Sequence, residues 1–153
     1  MYFFFRRKAV DFFSPQQKSL ITNAIQQAET NTSGEIRVFI ESKCAYVNAI
    51  DRAKELFEQL NMYHTADRNA VLVYIAIKHR QLAIWADEGI HQQLGSSFWQ
   101  QQVNTMIYHF NSNDYAEGIA SIVTDIGTAL TQHFPYDKVN DVNELPNDIV
   151  FGK

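Results

Sequence analysis

The sequence predicts an α/β fold in which a small mixed sheet lies between helices as a three-layer sandwich. Three observations predict it. Segments with the pattern of strands alternate with segments whose apolar residues recur at helical spacing. The strand-like segment over residues 70–77 is almost wholly apolar, as is typical of a central strand covered on both faces. The chain has 153 residues, a length that favours a single domain.

The helices are predicted from their start signals and their apolar faces. Residues 14–17 read Ser-Pro-Gln-Gln, a capping box with proline at the first helical position, and apolar residues follow at helical spacing as far as Ala28. Asn48 opens a second amphipathic helix. Residues 97–100 and 114–117 have the spacing of capping boxes before two further helices.

Three strands are predicted, over residues 35–41, 70–77 and 81–87. A helix connects the first strand to the second, so these two are expected to be parallel with a right-handed crossover. Only three residues separate the second strand from the third, which requires an antiparallel hairpin. The end of the tail, residues 148–151, is predicted either to add a short edge strand or to wrap the surface.

Composition and charge exclude several classes of protein. The net charge of −4 and the pI of about 5.7 argue against a nucleic-acid partner. Cys44 is the only cysteine, which excludes an intramolecular disulfide and a cysteine-rich zinc site. A single cysteine is typical of proteins in a reducing compartment, so we expect a cytoplasmic protein. No apolar run approaches the roughly 18–20 residues of a transmembrane segment.

The chain is divided into an aromatic and basic N-terminal segment over residues 1–11, a domain over residues 12–134, and a tail over residues 135–153 that packs on the domain. The N-terminal segment begins Met-Tyr-Phe-Phe-Phe-Arg-Arg-Lys. We expect its rings to pack on the body of the domain. The alternative is contact with an anionic membrane surface, although stable anchoring usually needs two signals.

The predicted topology brings the starts of the first two strands and the end of the third to one edge of the sheet. Oxygen-bearing residues cluster there and are called the acidic rim: Glu35, Asp67, Asn69, Asp87 and Glu88. Calcium takes 6–8 oxygen ligands and magnesium prefers six, so this rim predicts a divalent cation, calcium or alternatively magnesium. Asp114 is a weaker candidate, because it also fits a helix cap.

Ordinary structural roles also explain the same residues, and oxygen-rich turns are common. Asp67 and Asn69 are common turn residues, and Asp87 with Glu88 would cap a helix starting near Ile90. Glu35 would pair on the surface with a nearby arginine, either Arg37 or Arg68.

At these residues the chain resembles the TPM domain family, which includes a thylakoid-lumen acid phosphatase. The resemblance covers residues 12–152, and its ending is similar to a soluble bacterial subgroup. It rests on five segments: residues 32–38, 68–75, 82–84, 87–90 and 114–119. It implies an α/β sandwich with a central mixed sheet, calcium binding in some members and acid phosphatase activity in a few.

The chain departs from the family in ways that bear on activity. Many members carry a signal peptide and a membrane helix, and neither pattern is found here. Ala70 stands where the family often has glycine, and residues 85–89 replace a glycine-rich stretch, which disfavours a phosphate-cradling loop. Motifs of nucleophilic hydrolases and of P-loop proteins are absent.

Three functions therefore remain open. The first is a soluble domain that binds a divalent cation at the acidic rim. The second is a metal-assisted acid phosphatase at the same place, in which Arg68 would hold the phosphate. The third is an interaction module without chemistry that recognises a protein or a membrane through its aromatic N-terminus.

Overall fold

The central sheet contains strands β1 (Glu35–Glu41), β2 (Ala70–Ala76), β3 (Gln81–Ala86) and β4 (Val150–Phe151), in the order β3-β2-β1-β4. The structure is a computed structural model, and it describes residues 8–136 and 149–153. Strand β1 is parallel to β2 and to β4, whereas β2 and β3 are antiparallel. The predicted mixed sheet, parallel crossover and hairpin are confirmed.

The helices lie on both faces of the sheet, so the predicted three-layer sandwich is confirmed. One layer holds α3, whose Phe57 packs with Leu72 and Tyr74 on one face of β2. The other layer covers the opposite face of the sheet, where Val38 and Val73 meet the remaining helices. The helices are α1 (Ala9–Phe12), α2 (Pro15–Thr30), α3 (Ala49–Gln59), α4 (Glu88–Leu94), α5 (Ser96–Asn111) and α6 (Tyr115–His133).

Two of the four predicted helix starts are confirmed in detail. Ser14 caps α2 through a complete capping box, and Asn48 caps α3 by accepting a hydrogen bond from the Ile50 N–H at 2.9 Å. The capping box predicted at residues 97–100 is wrong, because α5 begins at Ser96 after Gly95 at φ 78° and has no side-chain cap. None of the described helices is both long and apolar enough to cross a membrane.

The first long helix of the domain packs directly on the last one. A Cβ built on Gly127 of α6 would lie only 2.4 Å from the Cβ of Ala28 in α2, so glycine is required for the two helices to approach this closely. Helices α2 and α6 are therefore in close backbone contact although they are distant in sequence. Ile21 and Ile25 of α2 are buried in the core between them and the sheet.

A buried ion pair lies at the end of β1 that is opposite to the acidic rim. The Glu41 carboxylate accepts hydrogen bonds from Arg52 Nε at 2.9 Å, from Arg52 Nη2 at 3.1 Å and from the Tyr74 hydroxyl at 2.5 Å. Glu55 Oε1 accepts a hydrogen bond from Arg52 Nη1 at 2.7 Å. Glu41 is 7% exposed, so these bonds compensate a carboxylate that has left water.

The N-terminal segment is only partly described. Its residues 8–11 enter α1, and Ala9 is buried in the core. The aromatic residues 2–5 and the predicted tail residues 137–148 lie outside the described residues. The end of the tail forms β4 beside β1, as one of the two sequence alternatives predicted.

Candidate functional site

The acidic rim is built by the register of three neighbouring strands. Glu35 pairs with Ala70 across β1 and β2, and Val71 pairs with Ala86 across β2 and β3. The Glu35 N–H donates to the Asn69 carbonyl at 3.4 Å, and the Asp87 N–H donates to the Ala70 carbonyl at 2.9 Å. The predicted convergence of the strand ends is therefore confirmed for Glu35, Asn69 and Asp87.

Asp87 is held by a forked ion pair with Arg68. Asp87 Oδ2 accepts from Arg68 Nε at 2.6 Å, and Oδ1 accepts from Arg68 Nη2 at 2.8 Å. Asp87 is also the N-cap of α4, since Oδ1 accepts from the Glu88 N–H at 2.8 Å. The helix-cap role considered in the sequence is thus correct. Asp87 is 2% exposed, so the Arg68 charge neutralises a buried carboxylate, and the Glu88 N–H adds a hydrogen bond to it.

Arg68 is engaged on all sides by the residues around it. Its Nη1 lies 3.3 Å from Glu88 Oε1, and its guanidinium carbon lies 5.2 Å from the centre of the Tyr63 ring. The hydrogen bonds to Asp87 raise the pKa of Arg68 above its ordinary value. A phosphoryl group would have to compete with two carboxylates for the residue that was predicted to bind phosphate.

A tight turn sets the position of this ion pair. Arg68 has a left-handed backbone at φ 51°, which non-glycine residues seldom adopt. A Cβ on Gly89 would lie 2.2 Å from the Asp67 carbonyl oxygen and 2.7 Å from that of Arg68. The Gly89 N–H donates to the Arg68 oxygen at 2.9 Å. Helix α4 therefore packs backbone to backbone on the turn that leads into β2.

Asn69 carries an oxygen that no described residue uses. The residue is 1% exposed. Its backbone N–H donates to Thr65 Oγ1 at 3.2 Å, and its Nδ2 donates to Ser33 Oγ at 3.2 Å. Its Oδ1 is buried and accepts no hydrogen bond within the described part of the chain. Because a buried polar atom without a partner is costly, this oxygen is the feature of the acidic rim that most needs a ligand or a water.

Glu35 forms a carboxyl pair with Glu29, a residue at the end of α2. Glu35 is 3% exposed, so it is buried and not on the surface, where the sequence placed a pairing with Arg37 or Arg68. Burial, the hydrogen bond to Glu35 and the charge of Glu35 raise the pKa of Glu29 to about 10. A hydrogen bond from the Ile36 N–H acts in the other direction and lowers this pKa. Glu29 is therefore protonated at neutral pH and donates to Glu35.

Sequence reasoning missed Glu29, although one weak signal was available. An acidic residue in the last turn of a helix opposes the helix dipole, so a carboxylate there is unfavourable unless it is neutralised. In this chain a proton neutralises it.

Replacing Glu29 with glutamine should make the stability of the domain less dependent on pH. Between the ordinary pKa of about 4.5 and about 10, the unfolded state loses the Glu29 proton and the folded state keeps it, so stability falls as pH rises. Glutamine copies the protonated form. Urea unfolding should therefore show E29Q gaining at least about 1 kcal/mol over the parent chain from pH 5 to pH 9.

The control for this substitution is Glu58→Gln, at an exposed position on α3. It should leave the pH profile of unfolding unchanged. Parallel profiles for E29Q and the parent chain would show that Glu29 does not hold a proton in the folded state.

The remaining two predicted donors differ in position. Asp67 is exposed, and its backbone oxygen lies close to Gly89. Asp114 lies at the opposite end of α6 from the rim, roughly 28 Å along a 19-residue helix whose last turn meets Ser33. Asp114 Oδ2 binds His109 Nδ1 at 2.7 Å, and this bond lowers the pKa of Asp114. The capping box predicted there is wrong, because Asp114 makes no side-chain cap.

The donors brought together differ from the predicted set of carboxylates. Within residues 8–136 and 149–153, no three side chains drawn from His, Cys, Asp and Glu lie close enough together to hold a metal ion. What the rim supplies instead is the Asn69 amide oxygen, the exposed Asp67 carboxylate, and carboxylates that already have partners. Such a set suits a hard cation that takes carbonyl and water ligands.

Comparisons with known proteins agree with this architecture. The family model of the TPM domain matches residues 7–129. The NMR structure of the BA42 protein from the psychrophilic bacterium Bizionia argentinensis is similar at 35% identity, with a TM-score of 0.83 and coverage of 92% of this chain and 96% of that chain. No curated protein matches the chain.

Two more distant structures share the fold alone. The N-terminal domain of a protein from P. gingivalis has 18% identity, a TM-score of 0.67 and 82% coverage of both chains. The N-terminal domain of the cg2496 protein from Corynebacterium glutamicum has 14% identity, a TM-score of 0.63 and 84% coverage of both chains. Since the family model spans most of the sequence, this chain belongs to the TPM domain family.

Proposed function

We propose that the acidic rim binds a divalent cation, with calcium as the first candidate and magnesium as the alternative. The observation that carries the proposal is the buried Oδ1 of Asn69, which accepts no hydrogen bond from the described residues. It lies between the segments that bear Glu35 and Asp87. Amide and backbone oxygens, carboxylates and water are the ligands that calcium takes in proteins.

The residues of the acidic rim fit such an ion if the Arg68 side chain moves away from Asp87. A carboxylate offers about four lone-pair positions. Three hydrogen bonds from Arg68 and the Glu88 N–H use positions on Asp87. Asn69 Oδ1 and the exposed Asp67 carboxylate would hold the cation, and Asp87 would join them when the guanidinium withdraws. The Arg68 side chain is 39% exposed, so a route to solvent exists.

Arg68 therefore competes with the cation for Asp87. Both are positive and both are stabilised by the same carboxylate, so binding of one weakens binding of the other. This competition favours a modest affinity, on the order of 10⁻⁴–10⁻³ M, as in sites that are loosely preformed.

The test is a calcium titration of the full chain, followed through backbone amide shifts by NMR. Shifts should localise to residues 67–69 and 87–89. Asp67→Asn should weaken binding about tenfold, because it removes the exposed carboxylate. Arg68→Gln should strengthen binding several-fold, because it removes the competing charge. Asp125→Asn, at an exposed position on α6, is the matched control and should change nothing.

Two results would contradict the proposal. One is the absence of localised shifts at millimolar calcium and at millimolar magnesium. The other is equal binding by the parent chain, D67N and D125N, which would mean that the ion only screens the surface charge.

Phosphatase activity remains a prediction of the family resemblance. Three N–H groups of Arg68 already bind Asp87 and Glu88. The geometry therefore adds no support for a phosphate clamp beyond what the resemblance implies.

A further inference from the structure

Strand β3 lies at the edge of the sheet, and among the described residues no strand pairs with its outer side. Proteins usually protect such an edge with lysine, proline or a bulge. The strand reads Gln-Leu-Ala-Ile-Trp-Ala, without a charge or a proline, and its register with β2 has no bulge. Within the described part of the chain, the outer edge of β3 is thus open to another strand.

The backbone groups that face outward can be assigned from the ladder. The Asp87 N–H donates to the Ala70 carbonyl, and hydrogen-bonded pairs alternate along antiparallel strands. Gln81, Ala83 and Trp85 therefore bond to β2. The N–H and C=O groups of the residues between them point away from the sheet: Leu82, Ile84 and Ala86.

A groove follows this open edge from Leu82 onward. A cavity of about 620 Å³ is lined by every residue from 82 to 88. Trp99 and Val103 of α5 form one wall, and Ile50 at the start of α3 forms the other. Five of the lining residues, 82–86, belong to β3 and span about 17 Å, which is the length of a short extended peptide.

The two ends of the groove carry opposite charge. Lys78, His79 and Arg80 are exposed in the turn that precedes β3. Asp87 and Glu88 follow the strand at the other end, where Arg68 balances only one of the two carboxylates. An antiparallel peptide would therefore place a basic residue near Glu88 and an acidic residue near Arg80.

We propose that this groove binds an extended peptide segment of a partner protein, which adds to the sheet as an antiparallel strand beside β3. Main-chain hydrogen bonds to the open edge give affinity, and the apolar walls with the charged ends select the sequence. The cavity is lined from both sides, by Ile50 of α3 and by Trp99 and Val103 of α5, which favours a single extended segment over the edge strand of a second folded copy. The proposal is independent of cation binding at the acidic rim.

The experiment uses the full chain in EDTA, so that no cation takes part, and the blocked hexapeptide Lys-Val-Thr-Val-Thr-Glu as the probe. Amide shifts should localise to residues 82–88 and to the facing side of α5. The same peptide with N-methyl groups on alternate amides should bind at least tenfold more weakly, since it cannot form the ladder. The charge-reversed peptide Glu-Val-Thr-Val-Thr-Lys should bind at least threefold more weakly.

Charge exchange in the protein separates this mode from non-specific apolar binding. Glu88→Lys should weaken binding of the first peptide and strengthen that of the charge-reversed peptide. Glu117→Lys, at an exposed acidic position in the first turn of α6, is the matched control and should alter neither. Ile84→Pro removes an outward N–H without removing a bond to β2, and it should abolish binding in a chain that still unfolds cooperatively.

Several outcomes would overturn the proposal. They are equal binding of the N-methylated peptide, tighter binding of the charge-reversed peptide, or no localised shift at millimolar peptide. A concentration-dependent dimer that Ile84→Pro converts to monomer would assign the edge to a second copy. A tenfold gain in peptide affinity on deletion of residues 1–8 would assign it to the N-terminal segment of the chain itself.

Discussion

Replacing Gly89 with alanine is expected to lower the free energy of unfolding by about 3 kcal/mol, at the upper end of the cost of overpacking. The added Cβ would meet the backbone oxygens of Asp67 and Arg68 at 2.2 Å and 2.7 Å. Backbone cannot rotate away as a side chain can, so α4 must move off the turn. Urea denaturation followed by tryptophan fluorescence measures the loss, because Trp85 and Trp99 lie near this end of the molecule.

Gly95→Ala is the matched control for that substitution. Gly95 has φ 78°, and an added Cβ would meet nothing within 4 Å. Its ψ of 169° places it in a region that is essentially restricted to glycine, so its cost should be backbone strain alone, about 1–3 kcal/mol. A loss for G89A below about 1 kcal/mol would mean that the close contact between α4 and the turn does not exist in solution.

Glu41→Ala should cost about 3 kcal/mol, because it removes one partner of a buried ion pair and leaves the others in place. The Tyr74 hydroxyl would lose its acceptor, and Arg52 would lose the carboxylate that binds it through two nitrogens. Urea unfolding at pH 7 is the measurement. Because the Arg52 side chain is 21% exposed, water recovers part of the loss, and the value lies at the low end of the range for buried pairs.

Glu55→Ala tests the same arginine from its exposed side. The Glu55 side chain is 32% exposed, so its loss should cost no more than about 1 kcal/mol. Tyr74→Phe should fall between the two, since it removes one hydrogen bond and keeps the ring. A cost for E41A as small as that of E55A would show that water, not Arg52, satisfies Glu41.

The architecture was predictable because it depends on periodicity and on connection length. The apolar run of β2 and the three residues between β2 and β3 were enough to give the parallel crossover and the hairpin. Helix starts were predictable where a side chain caps the backbone, as at Ser14. They were not predictable at Gly95, because there the start depends on a positive φ and on packing rather than on a cap.

For the candidate site, the sequence predicted which residues lie near one another but not which contacts they make. Topology alone brings Glu35, Asn69 and Asp87 to one rim. The partner of each carboxyl was not predictable, because it depends on side-chain direction and burial. Glu35 bonds to Glu29, which is six residues away in sequence and on another element, and Asp87 bonds to an arginine that the sequence had assigned to phosphate. The groove along β3 depends on the distance between α3 and α5, which no local pattern encodes.

The close packing of Gly127 on Ala28 has a consequence for how the protein is made. Helix α2 leaves the ribosome early, and α6, which packs on its inner side, is synthesised about a hundred residues later. Until then Ile21 and Ile25 have no partner from that helix. Contacts so distant along the chain are slow to form, so the nascent polypeptide should acquire its native state late and in a single cooperative step.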